Sequence, residues 1–114
     1  MIIKNNEELK KLIKNGIIDC SGKDLICNFN INVEANIKAC NILADNINSY
    51  DINALNINAY DINALNINAQ DIVYYAVCCA YNNIICESIK GRRNNNKHFV
   101  LDGKIIIDGE ERKW

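Results

Sequence analysis

Apolar and polar positions along this chain follow three patterns in succession. Over residues 6–15, NEELKKLIKN, Leu9, Leu12 and Ile13 fall at i, i+3 and i+4, one apolar stripe with the spacing of a short helix. Asn5 or Asn6 can cap it, Glu7 and Glu8 sit in the first turn, Lys14 sits in the last, and Gly16 follows as a stop. Over ICNFNINVE the pattern changes to strict alternation. Ile26, Asn28, Asn30 and Asn32 face one way and Cys27, Phe29, Ile31 and Val33 the other, which predicts a strand. From Ile37 a third pattern takes over, with a period of five. The units are IKACN, ILADN, INSYD, INALN, INAYD, INALN, INAQD, IVYYA and VCCAY, nine in all from 37 to 81.

The slots of this repeat differ in kind. The first holds Ile eight times and Val once, the third holds Ala six times, and the fifth holds Asn or Asp seven times. The fourth varies: Cys40, Asp45, Tyr50, Leu55, Tyr60, Leu65, Gln70, Tyr75, Ala80. An odd period cannot run along one flat strand, because its side chains would change faces at every unit. If the chain turns a corner once per unit, the same slots point inward every time. First and third slots are two apart, so Ile and Ala share the inner face of a short extended segment. Asn and Asp near the corners suit turn backbone. The result is a solenoid whose coils stack at the interstrand spacing of about 4.8 Å.

Repeated five-residue units with Asn or Asp before a large aliphatic residue resemble those of pentapeptide-repeat proteins. The resemblance covers residues 37–81 and, more loosely, 18–36. It implies a right-handed quadrilateral β-helix with four units per coil. Four units per coil would stack Leu55 beside Tyr75, Cys40 with Tyr60 and Ala80, and Asp51 near Asp71. The family places a small residue directly before the Asn or Asp, whereas this chain inserts one more, as in Ala59-Tyr60-Asp61-Ile62. Ile and Ala are therefore expected inside and the fourth slot outside, with the coil open between fifteen and twenty residues. The whole chain, including ESIKGRR and LDGKI, also resembles short uncharacterised proteins of Gram-positive bacteria and their phages.

Past Tyr81 the repeat fades. GRRNNNKH reads as a basic loop, and HFVLDGKIIIDGEERKW as two short strands around an Asp102-Gly103 turn. The expected fold is therefore all-β: a right-handed parallel β-helix in a single domain. It comprises an N-terminal helix cap over 1–16, coils over 17–89, and the basic loop with a C-terminal hairpin cap over 90–114. Such caps protect the open edges of a solenoid.

Composition narrows the possibilities in three respects. A net charge of −1 disfavours both direct nucleic-acid binding and mimicry of a duplex, which carries a charge every ~1.7 Å. No long apolar run or signal-like N-terminus is present, which implies a cytoplasmic protein outside any membrane. The six cysteines then read as reduced, mostly buried small apolar residues, since no CxxC pair occurs and His98 is the sole histidine. No P-loop, GxGxxG, HExxH or GxSxG is found, and Cys86 with His98 is a weak nucleophile pair. The expectation is a protein without catalysis or cofactor.

What remains is recognition. The outward residues Tyr50, Leu55, Tyr60, Leu65 and Tyr75 are large and apolar where exposure does not require it, and Arg92, Arg93 and Lys97 lie in the basic loop. Together they are the candidate surface for a protein partner. The resemblance implies an inhibitor of a nucleic-acid enzyme or a host defence complex, such as an anti-CRISPR. The alternative is a structural solenoid that associates with itself, as a homodimer or polymer.

Overall fold

A computed structural model describes residues 2–112 and shows a parallel β-helix of about five turns. The repeat closes on itself every three units, not four. Ile37 pairs with Ile52 and Ile52 with Ile67; Ile42 pairs with Ile57 and Ile57 with Ile72; Ile47 pairs with Ile62. Each coil of the regular region is thus fifteen residues, with three sides. The first side carries Ile37, Ile52 and Ile67, the second Ile42, Ile57 and Ile72, and the third Ile47 and Ile62. All of these are buried, as are Ala44, Ala54, Ala59, Ala64 and Ala69 beside them. Three isoleucines and three small residues per coil fill a triangular interior.

The fifth-slot residues tie one coil to the next. Asn36 Oδ1 accepts from the Asp51 N–H at 3.0 Å, Asn46 Oδ1 from the Asp61 N–H at 3.1 Å, and Asp61 Oδ1 from the Val77 N–H at 3.1 Å. Asn66 Nδ2 donates to Asp51 Oδ1 at 2.9 Å, and the Asn56 and Asn41 amides meet at 2.7 Å. Backbone bonds also continue through the corners, as from Tyr75 N–H to Tyr60 O at 2.8 Å. A short side chain carrying an oxygen one residue before each strand thus serves a donor the turn would otherwise leave unpaired.

The ends depart from the expected pattern in instructive ways. The helix is only Asn6–Lys10, capped by the Asn5 side chain accepting from Glu8 N–H at 2.9 Å. Its neighbours Ile13–Lys14 and Ile17–Cys20 form an antiparallel pair around Asn15-Gly16, both at positive φ. Asn-Gly favours that hairpin turn over a helix stop. The helix still caps: Asn6 donates to Asn30 O and accepts from Asn32 N–H, both at 2.9 Å, so its amide stands in for a missing strand. The alternating run over 26–33 is two strands, Leu25–Cys27 and Ile31–Asn32, separated by a corner. Cys27, Ile31 and Val33 point inward as expected, while Phe29 sits half-buried at the corner.

At the other end the frame slips by one residue. Ile62 pairs with Cys78, sixteen positions on, so Cys78 and Ala80 point inward instead of Val77 and Cys79. The strands Lys97–Val100 and Ile105–Ile107 do not form a hairpin around Asp102-Gly103. Both lie parallel on Val77–Cys86, on successive sides of the coil below. The antiparallel pair is Ile105–Ile107 with Glu110–Arg112, turning at Asp108-Gly109 with φ of 53° and 78°. Only that second Asp-Gly has the two positive φ values a two-residue hairpin needs. Gly103 is required for close approach instead, since a Cβ there would overlap the Asn82 carbonyl oxygen. No helix among the described residues is long and apolar enough to cross a membrane.

Candidate partner-docking corner

Because three units make a coil, fourth-slot residues fifteen apart share a corner. The first corner stacks Cys40, Leu55 and Gln70, the second Asp45, Tyr60 and Tyr75, and the third Tyr50 and Leu65. Leu55 is therefore not beside Tyr75. Cys40, Tyr60 and Ala80 do not stack either: Cys40 lies under Leu55, and Ala80 points into the core. Asp51 and Asp71 lie on different corners, the first bonded to Asn66, the second accepting from Ser88 Oγ at 2.6 Å.

The second corner is the one where the expected residues converge. Tyr60 and Tyr75 are 52% and 44% exposed and meet edge to face, with ring centroids 5.9 Å apart. The Arg92 guanidinium carbon lies 5.7 Å from both ring centroids. Arg92 reaches them because its strand continues the second side: its N–H donates to Tyr74 O at 2.9 Å, and Arg93 N–H donates to Tyr75 O at 2.9 Å. Such a cation on an aromatic face stabilises the exposed arrangement by about 0.5–1 kcal/mol per ring. It also fixes the direction of the guanidinium while its N–H edges stay free. Among the described residues the one salt bridge is Arg112 with Glu110, so no carboxylate among them lies within ion-pair distance of Arg92. Below the arginine, a groove of about 180 Å³ runs past Tyr60 to Asp45, Leu43 and Asn28.

Arg93 and Lys97 are near but separate. Arg93 Nη2 donates to Asn95 O at 3.2 Å, within its own loop, and Lys97 Nζ lies 5.0 Å from the Phe99 ring on the third side. Tyr50 and Leu65 belong to the third corner. There Tyr81 follows Leu65, and Leu101 follows Tyr81. Both Tyr81 and Leu101 are exposed, and the five-residue frame hid them: Tyr81 falls in a fifth slot until the frame slips, and Leu101 lies beyond the repeat.

Behind the docking corner is a buried polar cluster. Tyr74 occupies an alanine slot of the second side and is fully buried. Cys78 stands in place of an isoleucine on the third side, and Gly91, paired with Tyr74, leaves space for the Asn96 side chain, which a Cβ there would overlap. The Tyr74 hydroxyl lies 3.1 Å from Asn96 Oδ1 and 3.0 Å from His98 Nδ1. Asn96 Nδ2 donates to the carbonyls of Gly91 and Arg93, which orients its amide oxygen toward the phenol. The Tyr74 proton therefore goes to Asn96, and His98 carries its proton on Nδ1 and donates it to the phenol oxygen. Burial pushes the Tyr74 pKa up to about 12, with a smaller contribution from Cys78, and lowers that of His98. The cluster thus stays neutral and holds the basic loop against the last full coil.

Cys86 does not form a pair with His98. It points inward on the first side, where burial raises its thiol to about 11. The other buried thiols, Cys20, Cys27 and Cys78, are raised likewise, first of all by burial, and none of the six cysteines is joined in a disulfide. Such thiols are poor nucleophiles and poor ligands. Among the described residues no three His, Cys, Asp or Glu side chains are grouped to hold a metal ion. Comparison with known proteins finds no matching family model, no matching curated protein and no matching solved structure.

Proposed function

We propose that this protein is a binding module without catalysis of its own, which docks on a protein partner through the corner built by Tyr60, Tyr75 and Arg92. The observation that carries the reading is the Arg92 guanidinium placed over two exposed, mutually packed tyrosine rings, with no ion-pair partner among the described residues. Tyr and Arg dominate the energetic centres of protein interfaces. Here both are already ordered, so little side-chain entropy remains to be lost on binding. A partner carboxylate on the free guanidinium edge, with an apolar side chain against Tyr60, satisfies the site. The net charge of −1 argues against nucleic acid as the direct ligand. The resemblance of the whole chain to short phage-type proteins is the ground for proposing that the partner is a nucleic-acid enzyme or host defence complex that it inhibits, in the manner of an anti-CRISPR.

The test is a pull-down from the native host followed by titration calorimetry against the recovered protein. Tyr60→Ala or Arg92→Ala weakens the complex by about 1–4 kcal/mol, while circular dichroism stays that of the parent. If both variants bind like the parent, this corner is not the docking site.

A further inference from the structure

The third corner carries a second surface. Tyr50, Leu65, Tyr81 and Leu101 occupy successive coils on one line, with exposures of 43, 40, 49 and 64%. None of them is charged. At ~200 Å² for a fully exposed side chain of this size, they leave about 400 Å² of apolar surface in a single strip. That is within the range that marks a functional patch on a monomer, and about half of the ~800 Å² each partner of a standard interface contributes.

We infer that this ridge is where a second copy of the chain docks, antiparallel, around a two-fold axis between Leu65 and Tyr81. Three observations select a second copy over other partners. The first is spacing. The knobs of the ridge repeat at the coil rise of about 4.8 Å, and the surface that shares this repeat is another solenoid of the same kind. The second is the order Tyr, Leu, Tyr, Leu along the ridge. A two-fold axis at its centre sets Tyr50 against Leu101 of the other copy and Leu65 against Tyr81. Each large ring then meets a smaller side chain, as an isologous interface requires. A parallel arrangement would put ring on ring and leucine on leucine. The third is charge. Glu34 lies at the lower end of this strip, beside Tyr50, and Lys104 follows Leu101 in the turn at its upper end, together with Asp102. Reversing one copy brings Glu34 toward the Lys104 turn of the other. The chain's net charge of −1 adds little repulsion between copies.

The ridge is on a different corner from Tyr60, Tyr75 and Arg92, so a dimer presents two copies of the docking corner, both uncovered. Dimerisation through the ridge does not depend on that corner binding a partner.

The experiment is sedimentation equilibrium of the full chain from about 5 to 200 μM, with the parent compared with Leu65→Glu, Leu101→Glu and Tyr60→Ala. The parent shows a reversible monomer–dimer equilibrium. Leu65→Glu and Leu101→Glu each weaken it at least tenfold, with unchanged far-ultraviolet circular dichroism, and Tyr60→Ala leaves it as in the parent. Should Leu65→Glu fail to fold, Leu101→Glu decides alone, since Leu101 is the most exposed of the four and makes the least demand on the fold. A parent that stays monomeric throughout overturns the inference. So does a folded Leu101→Glu that dimerises like the parent, or a dimer lost in Tyr60→Ala instead.

Discussion

Ile57→Ala tests the packing logic at its centre. Ile57 is 1% exposed and stacks between Ile42 and Ile72 on the second side, in the middle coil of the regular region. The substitution removes three carbons, which at ~0.8 kcal/mol per buried methylene costs about 2.4 kcal/mol of transfer free energy. A cavity adds to this at about 24 cal/mol per Å³ left unfilled. The isoleucines above and below are held by their own backbone ladders, so collapse is limited. A residual void of ~50 Å³ would then add about 1.2 kcal/mol. The expected loss is about 3–4 kcal/mol, equivalent to a fall in Tm on the order of 10 °C for a domain of this size. The assay is urea unfolding followed by circular dichroism, with the parent and Asn53→Ala, an outward substitution on the first side of the same coil, as references. An unchanged midpoint for Ile57→Ala, or a shift no larger than that of Asn53→Ala, would refute the inward stack.

Other substitutions probe positions where the structure breaks its own pattern. Ser49 sits in an alanine slot, buried, with its hydroxyl lacking any hydrogen-bond partner; Ser49→Ala should raise stability by about 1 kcal/mol, read as a higher urea midpoint. Gly103→Ala drives a Cβ into the Asn82 carbonyl, so the C-terminal strands should loosen, seen as faster amide exchange over 97–107 than in the parent. His98 is held neutral by burial, with its folded pKa below the ordinary 6.5. The unfolded chain then binds the proton more readily than the folded one. Stability should therefore be complete above about pH 6.5 and fall as pH drops through the lower folded value. His98→Gln, compared with the parent at pH 7.5 and 5, should remove that part of the slope.

The slots of the repeat are legible in the sequence because each has its own chemistry. Ile and Ala inward, Asn and Asp at the coil-to-coil bonds, and the fourth slot outward all follow from residue type and a period of five. The number of units per coil is not legible, because nearest-neighbour chemistry is the same for three sides or four. Only the volume enclosed distinguishes them, and that depends on the closed cross-section. The consequence reaches the site. Tyr60 and Tyr75 point outward as their slot predicts, but their contact, and the separation of Leu55, depend on the coil count. Irregular coils are harder still. Spacings of seven and six from Ile18 to Leu25 to Ile31 hide the first coil. The shift at Ala76 moves Cys78 and Ala80 inward and brings Tyr81 onto the third corner. At both ends a dipeptide turn differs from its expected role: Asn15-Gly16 is a hairpin, and Asp108-Gly109 instead of Asp102-Gly103 closes the C-terminal pair.

Which fourth-slot residues share the docking corner follows from the fifteen-residue coil, and Cys40 supplies a native probe of it. Cys40 lies between the Ala39–Ala54 and Asn41–Asn56 pairs, partly exposed, and directly below Leu55. Leu55→Cys places a second thiol one interstrand spacing away, about 4.8 Å between backbones, within the Cα range a disulfide spans. After mild oxidation of the folded protein, peptide mass spectrometry should find position 55 linked to Cys40, and Tyr60→Cys should give no such link. With four units per coil the result reverses: Tyr60→Cys would link to Cys40 and Leu55→Cys would not. That outcome would separate Tyr60 from Tyr75 and contradict the account.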